Sequence, residues 1–236
     1  MITLIGVGHV FDLRAAVVRA IEERRPAVVG VELDAARFEA LQAPESRRSA
    51  PGVYAVLAYI QRRIAAEYGT QAGAEMLAAA EAAKSIGAQL AFLDMDSRGV
   101  LSRLIRAMPM REKARFAFSI LGGLFLRKST VENELRKFEA DESAFLAELA
   151  RDFPSVKRVL IDERNTHMSQ SIRNLEADHG SVVAVVGEGH LEGLRALLAD
   201  RSPAVVRLRE LRGAAAGNAS VTVSFGDDAS ASRGNP

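Results

Sequence analysis

Two short segments near opposite ends of the chain put a histidine just after a glycine-bearing strand end. Gly6-Val7-Gly8-His9 follows the apolar run that begins at Ile2, and Gly187-Glu188-Gly189-His190 follows Val182 to Val186. The 236 residues include only four histidines, and two of them stand at these equivalent places. Glu32 ends another apolar run and supplies a carboxylate. Two imidazoles and a carboxylate can hold a catalytic divalent ion while leaving a position for water, and zinc, manganese or cobalt suits such donors. The same residues can also work without metal, with one histidine and Glu32 as general bases toward water. A third reading has the two imidazoles doing no more than hydrogen-bonding to loops. Residue types alone leave the three open. Asp94 and Asp96 follow a further apolar run and could add ligands, but an acidic residue after a strand more often caps the next helix, and capping is expected here.

Residues so far apart in sequence share a site only if a sheet gathers them. Ile2 to Val7, Ala27 to Val31, Gln89 to Leu93, Val182 to Val186 and Ala204 to Leu208 read as strands. Helical spacing fills the intervals: a helix opened by Asp12 carries Leu13, Val17, Val18 and Ile21 before Pro26, and others cover Val53 to Tyr68, Ala72 to Ile86 and Leu191 to Asp200. Alternating strands and helices predict an α/β fold with a mainly parallel central sheet, whose carboxyl edge is where such sheets bind ligands. A dinucleotide fingerprint explains less. Gly6 and Gly8 precede a helix and Glu32 stands at the distance of a ribose-binding acid, but position 11 is Phe where a third small residue is required, and the second glycine-histidine segment is left without a role.

Strand signals disappear between about residues 97 and 179, which predicts a large all-helical insertion between the third and fourth strands. Arg98 to Met108, Met110 to Leu126 and Val131 to Arg151 are its first three helices, the last opened by a Ser129/Glu132 capping box. Phe116 to Leu126 reads as a buried or partner-facing helix. After Pro154, Ile161, Asn165, Met168, Ile172 and Leu175 fall on one helical face bordered by Arg164. An amide and a guanidinium interrupting an apolar seam need partners, since an unpaired buried polar group costs about 1–3 kcal/mol. A site could provide them, and so could a rim and a helix pair.

A hydrophobic content of 48% against 26% charged residues fits a globular chain with a large core, and a net charge of +1 gives no overall field for nucleic acid. With no cysteine, disulfides and thiolate chemistry are excluded. One domain over residues 1–212 is expected, with a flexible tail over 213–236 that holds a short alternating segment at 221–225. No run of about 20 apolar residues is present, and no signal sequence precedes the first strand, so a cytoplasmic location is expected.

Together these segments resemble one family. GVGH at Gly6 to His9, VELD at Val31 to Asp34, LDMDSRGVLSRLIRAMPMREK at Leu93 to Lys113, DERNTHM at Asp162 to Met168 and VGEGHLEG at Val186 to Gly193 occur in the order found in the TraB/PrgY family. That family is related to the Tiki metallopeptidases and more distantly to erythromycin esterases and the haem-binding ChaN proteins. The resemblance implies their α/β scaffold and a metal-dependent hydrolase acting on peptides or proteins, with His9, Glu32 and His190 as ligands to manganese, cobalt or zinc. It implies catalytic roles for Glu32 and Arg164, the latter stabilising an oxyanion, and substrate contacts from Arg164 and Asn165. A peptide- or haem-binding regulator, or a metal-free His/Glu esterase, is the alternative on the same scaffold. Some members limit peptide-pheromone signalling, and many prokaryotic ones continue into carboxyl-terminal membrane segments that this sequence does not show. A soluble form, or the soluble part of a membrane-anchored protein, is therefore expected, with a homodimer through the helical insertion as a candidate assembly.

Overall fold

The computed structural model describes residues 1–8, 13–42, 73–124, 150–211 and 213. His9, Asp12, the helix expected over 53–68, most of the one over 131–151, its capping box at Ser129 and the segment at 221–225 lie outside them. Five parallel strands form one sheet: β1 (Ile2–Val7), β2 (Val28–Val31), β3 (Gln89–Phe92), β4 (Val182–Gly187) and β5 (Ala204–Val206), in the order β3-β2-β4-β1-β5. The fold is α/β with a parallel sheet flanked by helices, and the described residues between β3 and β4 are helical wherever they are regular.

Helices on both faces explain why the strands read as unbroken apolar runs. Successive side chains leave a strand on opposite sides. Val183 and Val185 of β4 join Val29 and Val31 of β2 in a core with α1 (Arg14–Arg24) and α3 (Ala74–Ile86), whose Ala79, Ala82 and Ala83 let the helix approach closely. Val182, Ala184 and Val186 face the other way, onto Met168 and Ile172 of α7 (Glu163–His179) and Leu191 and Leu194 of α8 (Glu188–Leu197). This alternation decides where Glu32 goes. Val29 and Val31 take the α1 face, so the next residue turns toward α7.

The remaining helices are α2 (Ala35–Gln42), α4 (Ser97–Ala107), α5 (Met110–Leu124) and the short α6 (Pro154–Lys157). Val100, Leu101, Leu104 and Met108 form a separate apolar cluster with Val156 and Val159. From α6 the chain passes through a π-helical turn at Arg158–Asp162 straight into α7. None of the helices among the described residues is long and apolar enough to cross a membrane.

One boundary differs from the sequence reading. The helix after β4 begins at Glu188 and ends at Leu197, with a 3-10 turn at Ala199–Arg201, where the spacing suggested 191–200. Gly187, in extended conformation, is its N-cap, and Glu188 supplies the negative charge that a first helical turn favours. Gly-Glu-Gly looks like a loop in sequence, but here it is the entry to a helix. His190 therefore projects from a rigid first turn.

Candidate functional site

At the carboxyl edge, the strand ends are level with one another. Val7 is opposite Gly187, Val31 is opposite both Val185 and Phe92, and the Glu32 N–H donates to the Val185 carbonyl at 3.0 Å. Glu32, Asp94 and His190 thus come to one end of the sheet from three different segments. Arg164 and Asn165 reach it from α7. All five side chains lie mostly within the protein, and Asn165 is only 3% exposed.

Arg164 is the hub. Its Nε donates to Asp94 Oδ1 at 2.9 Å and Nη2 to Asp94 Oδ2 at 2.7 Å, a two-pronged pair. Nη2 also donates to Glu32 Oε1, while Nη1 donates to the Leu160 carbonyl at 3.2 Å and lies 3.0 Å from His190 Nε2. These five contacts match the five N–H donors of a guanidinium. The Leu160 carbonyl sits within the π-helical turn, so that irregularity of winding contributes an acceptor to the site.

Glu32 is held equally firmly. Oε2 accepts the Gly187 N–H at 2.6 Å, and Oε1 lies 3.2 Å from His190 Nε2 as well as against Arg164. Burial by itself pushes this carboxyl up, but the charges and hydrogen bonds of His190, Arg164 and Gly187 outweigh it and hold Glu32 well below the usual carboxylate range. Arg164 shows the mirror image. Burial opposes its charge, and Glu32 and Asp94 hold it above the usual arginine range.

The other ring nitrogen of His190 is fixed by Asn165, whose Oδ1 lies 2.7 Å from Nδ1. An amide oxygen only accepts, so Nδ1 carries the proton, and Nε2 of the neutral ring presents its lone pair toward Glu32 and Arg164. Gly193 makes room for this amide. A Cβ there would overlap Asn165 Nδ2 and stand 3.1 Å from its Cγ.

The structure thus brings together Glu32, Arg164, Asn165 and His190 from the sequence-derived set; His9 is outside the described residues. It also adds Asp94, for which capping was expected. Asp94 accepts the Met95 N–H at 2.8 Å but spends both oxygens on Arg164, with Arg37 Nη1 a further donor at 3.1 Å. The capping falls to Asp34, which accepts the N–H of Arg37 at 2.9 Å in α2 and of Ser97 at 3.2 Å in α4. Gly193 was likewise missed as a packing residue, its sole signal being its place three residues after His190. Among the described residues no group of three or more His, Asp or Glu side chains has the arrangement of a metal cage.

A parallel α/β sheet with a buried Glu–Arg–Asp–His–Asn network at its carboxyl edge defines a class of protein whose strand ends carry the functional residues. A profile of the TraB/PrgY/gumN family matches residues 1–205, and the chain belongs to that family. It is similar to an uncharacterized protein of Methanocaldococcus jannaschii, at 31% identity over 206 residues covering 82% of this chain and 52% of the relative. The chain therefore spans about half the length of that curated relative.

Proposed function

We propose that this chain is a hydrolase that cleaves peptide bonds through metal-activated water, with Glu32, His190 and His9 as the residues that would hold a divalent ion. The observation carrying this reading is the 3.2 Å between Glu32 Oε1 and His190 Nε2. Two donors about 2.0–2.2 Å from one ion stand roughly 3.0–3.4 Å apart. Donor chemistry fits too: Glu32 is kept ionised, and Asn165 fixes Nδ1 so that Nε2 is the free donor, the outer-shell pattern of a ligating histidine. Arg164 contacts the same two atoms and would have to release them, keeping its paired bonds to Asp94.

When bound, a divalent ion lowers the pKa of its water toward neutrality and so supplies hydroxide as nucleophile. The chain's own residues do the rest. Asn165 holds the His190 ring, and the Gly187 N–H fixes Glu32. The Nη groups that Arg164 withdraws from Glu32 and His190 would face the oxygen of the attacked carbonyl, where negative charge develops. A substrate contact from Asn165 is the weaker part of the reading, since its oxygen already serves His190. Peptide as substrate rests on the likeness to the Tiki group.

A second reading has its own support. Arg164 links Glu32 and His190 with every N–H used, so the network is complete in itself. The scaffold would then bind a peptide or haem without turnover, or hydrolyse an ester with histidine as base, since a carboxylate held as low as Glu32 accepts protons poorly. The test is metal content after chelator-free purification, then calorimetric titration of manganese, cobalt and zinc into the wild type and His190→Ala. A peptide library with each metal follows. Stoichiometric binding that the variant loses, together with metal-dependent cleavage, supports the hydrolase. Full hydrolysis without metal selects the esterase, and peptide binding that persists in His9→Ala with no cleavage selects the binding protein.

A further inference from the structure

We propose that the outward face of α5 is a docking surface for an anionic lipid bilayer. A helix with one side on the protein and one in water normally turns its apolar residues inward. In α5 this is reversed. Its inward side is anchored by Glu112 Oε1, which accepts the Ser155 N–H at 2.8 Å, by Phe116 edge-on to Phe153 with ring centroids 5.8 Å apart, and by Arg115, which donates to the Asp152 carbonyl at 3.3 Å. Met110, Ala114 and Phe118 recur every fourth residue, which places them in one stripe on the opposite side. Met110 is 76% exposed and Phe118 73%. The preceding helix α4 adds Ile105, 44% exposed, beside exposed Arg106.

Charge selects the occupant. Residues 97–124 contain six basic side chains, Arg98, Arg103, Arg106, Arg111, Lys113 and Arg115, against one acid, Glu112, in a chain whose net charge is +1. Glu112 is buried, so the helix pair presents its positive excess outward. A second copy meeting this face across a two-fold axis would set Arg111 and Lys113 against their own counterparts. Nucleic acid would use the charge but leave Met110 and Phe118 in water. An anionic bilayer uses both: the apolar stripe enters the boundary between headgroups and acyl chains, and the flanking Arg111 and Lys113 reach lipid phosphates along their aliphatic stems.

The test uses the full chain with vesicles of phosphatidylglycerol in phosphatidylcholine, or of phosphatidylcholine alone, in a sedimentation assay. The expected result is binding to the anionic vesicles, weakened by salt, with little on the neutral ones. Arg111→Gln and Lys113→Gln should each lower partitioning about fivefold. Met110→Ser with Phe118→Ser should abolish it while leaving the circular dichroism spectrum and melting temperature unchanged. The chain has no tryptophan, so Phe118→Trp gives a single reporter whose emission should shift to the blue on anionic vesicles. Equal binding to both vesicle types overturns the proposal, as does no binding, or affinity that survives the double substitution. Concentration-dependent dimerisation lost in the double variant, or RNA binding unaffected by it, without vesicle binding, likewise overturns it.

Discussion

Replacing Glu32 by glutamine removes one charge from the buried network and little volume. Glutamine can still accept the Gly187 N–H, so the loss falls on the contacts of Oε1 with Arg164 and His190. Breaking a buried ion pair by removing one partner costs about 3–5 kcal/mol. Arg164 is 14% exposed and keeps both bonds to Asp94, which puts the expected loss near the lower end, ~3 kcal/mol at neutral pH. The pH dependence supplies a sharper number. In the fold the Glu32 pKa is depressed from its ordinary 4.5, so its contribution is fully present above that value and is lost as pH falls through the acid range toward the folded pKa. Below 4.5 the unfolded chain carries one more proton than the folded one, which costs about 1.4 kcal/mol per pH unit. By pH 3 the wild type should have lost about 2 kcal/mol that Glu32→Gln never had. Urea unfolding of both proteins at pH 7 and pH 3 measures the gap, and subtraction removes the other carboxylates. A gap that stays constant between the two pH values would refute the assignment of an ionised, paired Glu32.

Gly193→Ala should cost about 1–3 kcal/mol by pushing Asn165 aside, and nitrogen NMR of His190 should show a mixture of ring tautomers where the wild type has the proton on Nδ1. Asp94→Asn should lower stability by ~3 kcal/mol, because Arg164 loses a paired partner whereas Arg37, 42% exposed, can turn to water; denaturant midpoints report it, and an unchanged midpoint contradicts the hub role. If Arg164 shares its contact atoms with a bound ion, Arg164→Met should alter the dissociation constant for manganese or zinc measured by calorimetry, and equal constants count against that geometry.

Most of the sheet was legible in the sequence because its strands are buried on both faces, and such strands announce themselves as unbroken apolar runs. Val182 to Val186 is the clearest case, every residue of it buried. Glu32, Arg164, Asn165 and His190 were legible as polar residues in apolar settings, and motif order tied them together. Partnership was not legible. Spacing gives Asn165 a face but not its bond to His190, which depends on α7 and α8 packing on the same side of the sheet. Asp94 illustrates the limit, since an acid after a strand serves equally well as a cap or an ion-pair partner, and only the arrival of Arg164 from 70 residues away decides between them. The start of α8 was hidden because two glycines resemble a turn by composition.

The π-helical turn at Arg158–Asp162 bears on which changes this segment can accept during evolution. Each residue added to or taken from a helix rotates everything after it by about 100° relative to what came before. Asp162 leads directly into Glu163, Arg164 and Asn165, so deleting one residue from the wide turn, which would restore ordinary winding, would also carry the guanidinium and the amide away from Glu32 and His190. Substitutions between Arg158 and Asp162 are therefore expected to be tolerated where changes of length are not, and alignments of relatives should show variable residue types there without gaps.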